Sequence, residues 1–113
     1  MDAIVNPSMN KMTHRLGISG SIIKHGGYSI QNDCYKYVKE NGLVPKGGCI
    51  HTSAGLLTPE YIIHTVIPFW DRNDKRKTRD ILQACVLNTL EEAKKLKVES
   101  VSIPLLTHIR RGY

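Results

Sequence analysis

The sequence predicts a layered α/β domain in which helices cover both faces of a mostly parallel sheet. Short apolar segments typical of strands alternate along the chain with segments whose apolar residues recur at helical spacing. The segment 61–66 is almost continuously apolar, which is usual for a strand buried on both faces of a parallel sheet. A chain of 113 residues fits one such domain and leaves no room for a second.

The first predicted elements are a strand and a short helix. The apolar strand lies at residues 3–5, and a polar loop leads from it to the stretch 17–23, whose small residues are typical of a tight turn into a helix. Gly26 and Gly27 end that helix as a C-cap would. This order places a loop and a helix N-terminus directly after a strand.

An amphipathic helix follows and ends at residues 41–42. Its predicted apolar face consists of Ile30, Cys34, Tyr37 and Val38. The polar residues around that face, Gln31 among them, are expected to be exposed.

The second half of the chain predicts three strands and the longest helix. The strands are expected at 49–52, at 61–66 and at 101–106, and Pro68 closes the second of them. The charge run 71–80 is interpreted as a solvated loop and first helical turn. The helix that follows has a predicted apolar stripe of Ile81, Leu82, Cys85, Val86, Leu90 and Ala93.

Composition limits the classes of function. The sequence has no apolar run of membrane-spanning length and no secretory signal pattern, so a cytosolic or nuclear location is expected. Cys34, Cys49 and Cys85 are odd in number and widely spaced, which indicates small core residues rather than disulfides or a zinc motif. A net charge of +6 favours phosphate-rich partners, nucleic acid among them.

Five motifs in register resemble the macro domain family. They are DAIVN at 2–6, GISGSI at 17–22, the helix end at 26–27, YIIHTVIPFW at 61–70 and SVSIPLL at 100–106. The resemblance extends to a divergent branch that includes the macro domain of ganglioside-induced differentiation-associated proteins. It implies a three-layer α/β/α fold that needs no cofactor and binds ADP-ribose, as a reader of ADP-ribosylated proteins or as an enzyme that removes the modification.

The resemblance also implies that residues 1–113 form a partial macro domain with an incomplete sheet. Macro domains ordinarily have further strands before the first strand predicted here, and another strand and helix after the last. The adenine-binding aspartate of the family lies in that leading part, so Asp2 should not take its role. As a consequence of exposed apolar edges, we expect that the chain alone is not a cooperatively folding monomer.

The first ligand loop of the family corresponds to residues 5–22 of this sequence. The resemblance implies that Asn6, Pro7, Gly17, Ile18 and Gly20 line the ligand site. Where the family has a second asparagine that contacts the distal ribose, this chain has Met9, whose thioether donates no hydrogen bond. The family's glycine run is replaced by bulkier residues at 14–16, and Ser19 stands where hydrolases of the family often have aspartate.

The second ligand loop corresponds to the end of the chain. The residues that the resemblance assigns to it are Leu105, Thr107, Arg110, Arg111 and Gly112. An arginine pair before Gly-Tyr resembles the divergent branch, and it would pair with a diphosphate or face solvent.

No residue is assigned a catalytic or metal-binding role. His64 matches a structural histidine of the family, while His14 and His108 fall in the two ligand loops. Neither loop histidine has a nucleophile or a second metal ligand at a recognisable sequence spacing.

Three hypotheses of function follow. The favoured one is a macro-domain module that binds ADP-ribose or mono-ADP-ribosylated protein weakly, because parts of the pocket are lost. The second is a scaffold that contacts protein or nucleic acid through its basic surface, and the third is an ADP-ribosyl hydrolase.

Overall fold

The computed structural model describes residues 2–14, 17–68 and 72–103. Within them the chain forms four strands and three helices in the order β-α-α-β-β-α-β. The strands are β1 (Ala3–Ser8), β2 (Cys49–Ser53), β3 (Tyr61–Val66) and β4 (Val101–Ser102), and the helices are α1 (Gly17–Gly26), α2 (Tyr28–Asn41) and α3 (Lys75–Lys95). None of these helices is both long and apolar enough to cross a bilayer.

The four strands form one mixed sheet in the order β2-β3-β1-β4. Strand β1 pairs in parallel with both β3 and β4, while β2 pairs with β3 in the antiparallel direction. The prediction of a mostly parallel sheet is therefore confirmed, and the antiparallel strand β2 lies at one end of this order.

The two faces of β3 carry different side chains to different helices. Ile62 packs in the cluster that contains residues of α1 and α2, whereas Ile63 packs with Ala93 of α3. On the α3 face, Thr65 and Thr89 share a hydrogen bond of 2.7 Å between their hydroxyls. Because side chains alternate across a strand, helices cover both faces of the sheet and the three-layer α/β/α prediction is confirmed.

Pro7 is accommodated in β1 although this strand has neighbours on both sides. The Ala3 N–H donates to Ser100 on the β4 side, and the Ile67 N–H donates to Ser8 on the β3 side. Backbone groups alternate in direction along a strand, so position 7 faces the same way as position 3. Its missing N–H therefore removes no hydrogen bond from the pairing with β3.

Two predictions for the face of α2 were wrong. Tyr37 is 39% exposed and lies outside the core. Gln31 is buried, because its amide donates to the Met12 carbonyl at 2.6 Å and accepts from the His14 N–H at 2.8 Å. Two backbone partners thus compensate the burial of a polar side chain that the helical pattern placed in solvent.

The predicted stripe of α3 was also partly wrong. Helix α3 begins at Lys75, inside the charge run, where the Asp74 side chain accepts from the Lys77 N–H as an N-cap. The residues that α3 buries are Thr78, Cys85, Thr89 and Ala93. Val86 and Leu90 are exposed to 41% and 49%, whereas the hydroxyl of Thr89 has its partner Thr65 inside the protein.

The last predicted strand and the second ligand loop extend beyond the described residues. Strand β4 is described at Val101–Ser102, whereas the strand was predicted over 101–106. Leu105, Thr107, His108, Arg110, Arg111 and Gly112 lie outside the described residues.

Candidate functional site

The candidate site lies where β1 ends and α1 begins. The parallel strands β1 and β3 are in register, so both end at the same edge of the sheet, at Ser8 and Val66. Helix α1 starts at Gly17 and contacts β1. In parallel α/β sheets ligands bind at this edge, because loops and helix N-termini converge there.

Gly17 gives the first turn of α1 a backbone that is open to an approaching ligand. Its φ is +61°, a conformation that glycine adopts without strain. Apart from its chain neighbours and the backbone of its own helix, a Cβ placed on Gly17 would have no heavy atom of the described residues within 4 Å. The first N–H groups of a helix lack intrahelical partners, and α1 has no acidic residue in its first turn to repel an anion.

The Ser19 side chain connects the start of α1 to the end of β1 through hydrogen-bond contacts. Its hydroxyl lies 2.8 Å from Oδ1 of Asn6 and 2.9 Å from the Pro7 carbonyl oxygen. The sequence motifs predicted no role for Ser19; they indicated only that it replaces an aspartate of the family. The structure gives it one, because it positions α1 relative to the strand.

Asn6 is fully buried and its amide faces the interior. Its Nδ2 lies 3.0 Å from Nδ1 of His64 and 3.5 Å from Nδ1 of His14. The predicted contact between Asn6 and a ligand stays a prediction. In this arrangement the side chain joins β1, β3 and the loop that follows β1.

His14 and His64 form a stacked pair below the site. Their ring centroids are 4.9 Å apart with an interplanar angle of 16°. Burial lowers the pKa of His14 to about 4, and it lowers the pKa of His64 to about 3 with a smaller contribution from His14 and His51. Both rings are therefore neutral near pH 7, and Nε2 of His64 lies 2.9 Å from the Thr52 hydroxyl.

Cys34 of α2 completes this group. Its Sγ lies 3.4 Å from Nε2 of His14, although sequence spacing gave His14 no thiol partner. Burial, with a smaller effect of Asp33, raises the pKa of the Cys34 thiol to about 12. A nucleophilic Cys–His pair needs a thiolate, so this buried pair lacks the charge state that thiol catalysis requires.

The loop that carries His14 is held in a strained conformation. Met12 is fully buried with a φ of +56°, which is unusual for a bulky residue. Gln31 binds the Met12 carbonyl and the His14 N–H, and so fixes the residues on both sides of position 13. Helix α2 thereby determines the path of the loop between β1 and α1.

The remaining predicted residues of the first loop lie on the surface of this region. Ile18 is 43% exposed and Met9 is 45% exposed, while Pro7 and Gly20 are half-buried. Asp2, in contrast, accepts from the Glu99 N–H at 2.7 Å and so supports the approach to β4. The structure thus brings Pro7, Gly17, Ile18 and Gly20 together at one edge, and their contact with a ligand remains a prediction.

Sequence reasoning missed the grouping of His14, Cys34 and His64. The three residues come from the β1–α1 loop, from α2 and from β3, and their ligand atoms lie within 4.8 Å of one another. Their separations in the sequence match no metal motif. The sequence indicated this grouping only indirectly. In the predicted α/β architecture a helix and a loop pack over the strands, so residues from all three can meet.

An α/β domain with a glycine-containing helix start at the carboxyl edge of parallel strands defines a class of phosphate-binding folds. Comparison with known proteins makes the class specific. The family model of the Macro domain matches residues 5–113. The chain therefore belongs to the macro domain family.

Relatives of the chain occur in bacteria and archaea. A Thermotoga maritima protein is 39% identical over 107 residues, which are 95% of this chain and 18% of that protein. A Sulfurisphaera tokodaii protein is 36% identical over 112 residues, which are 99% of this chain and 59% of that protein. The chain thus spans less than two thirds of the length of either relative.

Solved macrodomains share the fold. An Oceanobacillus iheyensis macrodomain determined with ADP has a TM-score of 0.89 at 31% identity, over 99% of this chain and 60% of that one. A glycine-to-valine mutant of the same macrodomain was determined with ADPR, with a TM-score of 0.89. The macro domain of ganglioside-induced differentiation-associated protein 2 has a TM-score of 0.88 at 28% identity, over 98% of this chain and 53% of that one. The predicted resemblance to that branch is confirmed.

Proposed function

We propose that this chain is a macro-domain module that binds ADP-ribose, free or attached to a protein. The observation that carries the proposal is the open backbone at Gly17, at the start of α1 and beside the end of β1. Macrodomains of the same fold were determined with ADP and ADPR, which supports a diphosphate-containing ligand for this one. A diphosphate at a helix N-terminus accepts hydrogen bonds from N–H groups that have no other partner.

The affinity is expected to be lower than a complete family pocket would give. Met9 provides no hydrogen-bond donor near the end of β1, where the family has a ribose-contacting asparagine. The same substitution argues against an ADP-ribosyl hydrolase, because the ribose would lack the amide that orients it. Reading of the modification is thus favoured over its removal.

A calorimetric titration of ADP-ribose tests the proposal, with Gly17→Val as the site variant and Gly42→Val as its control. Both glycines have positive φ and an open position at Cβ, at φ values of +61° and +86°. Gly42 lies in a backbone region that is essentially restricted to glycine, with φ +86° and ψ −175°, so Gly42→Val tests whether backbone strain alone abolishes binding. Gly42 follows α2, away from the end of β1. We expect binding by the unmodified chain and by Gly42→Val, and a loss of at least about tenfold in Gly17→Val because the valine side chain would occupy ligand space.

Absence of heat in the unmodified chain, or equal affinity of the two variants, would contradict the proposed site. The scaffold hypothesis is tested by a parallel titration with RNA or DNA. The exposed basic residues at the start of α3 are Lys75, Arg76, Lys77 and Arg79. Salt-dependent binding of RNA or DNA without any effect of ADP-ribose would favour that basic surface over the pocket.

A further inference from the structure

We propose that Thr52 and His64 are positioning residues for the ADP-ribose site, because they fix the direction of a buried hydrogen-bond relay that ends at the first turn of α1. The relay runs from β2 through β3 and β1 to α1, and its members are Thr52, His64, Asn6 and Ser19. Both positioning side chains are buried, so they act on the site through the other two. The inference rests on the proposed function for the identity of the ligand.

The register of the sheet brings the members of the relay together. Asn6 is the direct partner of His64 in the parallel pair of β1 and β3. Thr52 of β2 is the partner of Ile62, which lies two residues before His64 and therefore on the same face of β3. Because Ile62 packs with residues of α1 and α2, the side chains of three neighbouring strands meet beneath these two helices.

Thr52 sets the direction of the relay at its first end. A hydroxyl has a single proton, and that of Thr52 is donated to the Ser53 carbonyl oxygen at 2.9 Å. The hydroxyl oxygen therefore accepts from the Nε2–H of His64, whose Nε2 is 2.9 Å away. Burial lowers the pKa of His64 to about 3, so the ring is neutral near pH 7 and has only one N–H. Its Nδ1 is consequently an acceptor.

Asn6 transmits this direction to α1. Its Nδ2 donates to Nδ1 of His64 at 3.0 Å, and Nδ1 of His14 lies 3.5 Å from the same nitrogen as a second acceptor. The amide therefore directs Oδ1 away from the rings, to the Ser19 hydroxyl that donates to it at 2.8 Å. Ser19 lies two residues after Gly17, in the first turn of α1. The tautomer of His64 thus determines which atom of Asn6 meets the helix start.

The other tautomer of His64 would change the contact at the helix start. With the proton on Nδ1, two donors would face each other, and the Asn6 amide would have to turn. The Ser19 hydroxyl would then have only the Pro7 carbonyl oxygen, 2.9 Å away, as its acceptor. A helix start that is held in place binds an anion more tightly than one that must be ordered on binding, so the relay should raise the affinity at Gly17.

The tautomer of His64 can be measured directly by NMR. In the full chain with ¹⁵N-labelled histidine, a long-range ¹H–¹⁵N correlation spectrum distinguishes protonated from unprotonated ring nitrogens, and loss of a signal in His64→Phe assigns it. We expect the proton of His64 on Nε2. A proton on Nδ1 would overturn the proposal. This result needs no ligand, so it is independent of whether the chain binds ADP-ribose.

Thr52→Val and Thr65→Val are matched variants, since each replaces a buried hydroxyl with a methyl group on neighbouring strands. The Thr65 hydroxyl has its partner Thr89 on the opposite face of the sheet. We expect Thr52→Val to lose the preference for the Nε2–H tautomer and to bind ADP-ribose about fivefold more weakly, the factor that corresponds to one ordinary hydrogen bond. Thr65→Val should keep both properties, and Thr52→Ser should restore both because it retains the hydroxyl. Equal affinities of Thr52→Val and Thr65→Val would contradict the relay.

Hydrogen exchange separates failure of the relay from failure of the proposed function. If the unmodified chain takes up no ADP-ribose, the proposed function fails, but the effect of the relay on α1 can still be measured. Amide protons at residues 21–24 should exchange about fivefold faster in Thr52→Val than in the unmodified chain, and at an unchanged rate in Thr65→Val. The same exchange rates in both variants would refute the positioning role.

Discussion

The hydroxyl of Ser19 lies 2.8 Å from Oδ1 of Asn6, and this contact joins the first turn of α1 to the buried end of β1. Asn6 in turn contacts His64 on β3, so one chain of hydrogen bonds connects the candidate ligand site with the interior. The position of the open backbone at Gly17 therefore depends on a polar network beneath it.

Ser19→Ala should destabilise the chain by about 1–2 kcal/mol, because the variant removes the hydroxyl that contacts buried Oδ1 of Asn6. Ser21→Ala is the matched control in the same helix, since the Ser21 side chain is exposed and contacts His25 at the surface. Urea unfolding measures both variants. Equal midpoints would show that the contact between Ser19 and Asn6 contributes nothing to stability.

Gln31→Leu should be among the most destabilising single changes. The leucine would leave the Met12 carbonyl and the His14 N–H without their partner, at a cost of about 1–3 kcal/mol for each group. It would also release the loop that holds Met12 at positive φ.

The neighbouring exposed residue provides the control for Gln31. Asn32→Leu introduces the same side chain one position along α2, where it remains in solvent. We expect a change within about 0.5 kcal/mol for this variant. Denaturant unfolding that gave similar losses for both variants would mean that Gln31 does not support the loop.

The order of elements could be predicted from the sequence, and so could the two-sided burial of β3, because both depend on local periodicity and turn residues. The contacts of Gln31 could not, since a helical pattern assigns a polar residue to solvent and cannot show that two backbone groups of a distant loop need partners. The stripe of α3 failed for a related reason. Thr89 is buried with a hydroxyl partner in Thr65, a contact between distant residues that a helical pattern does not show.

The candidate site was only partly predictable. Motif order placed Gly17 at a helix start next to a strand end, and the structure has it there. The grouping of His14, Cys34 and His64 was not predictable, because it depends on the register of β3 against β1 and on the contact of α2 with the loop.

Gly55→Ala should be strongly destabilising, because the backbone at this turn packs against the end of α1. Gly55 has a φ of +58°, and a Cβ there would collide with the Gly26 carbonyl oxygen. That oxygen already accepts from the Leu56 N–H at 2.9 Å, so it cannot shift without loss of a hydrogen bond.

Gly42→Ala separates backbone strain from collision at Gly55. Gly42 also has positive φ, at +86°, but a Cβ there meets no atom within 4 Å. Gly42 has a ψ of −175°, in a region that is essentially restricted to glycine, so we expect about 1–3 kcal/mol from strain in Gly42→Ala. Gly55→Ala should lose more in total, because the collision with a backbone oxygen adds about 1–3 kcal/mol to its own strain. Thermal or urea unfolding of the two variants would contradict the packing argument if Gly55→Ala were the milder change.

Acid should destabilise the chain through its two buried histidines. Burial lowers the pKa of His14 from 6.5 to about 4 and that of His64 from 6.5 to about 3. Below pH 6.5 these histidines are therefore protonated in the unfolded chain but remain neutral in the folded chain. The stability is therefore complete above pH 6.5 and falls as the pH decreases toward these lowered values. The expected slope is about 1.4 kcal/mol per pH unit for each histidine.

Urea unfolding between pH 7 and pH 5 measures this slope. This range stays above the usual pKa values of carboxylates. We expect the unmodified chain to lose on the order of 3–4 kcal/mol across the range. His14→Phe keeps a buried ring but removes one titrating group, so its loss should be about half as large. An unchanged pH dependence in that variant would show that His14 is not kept neutral by its burial.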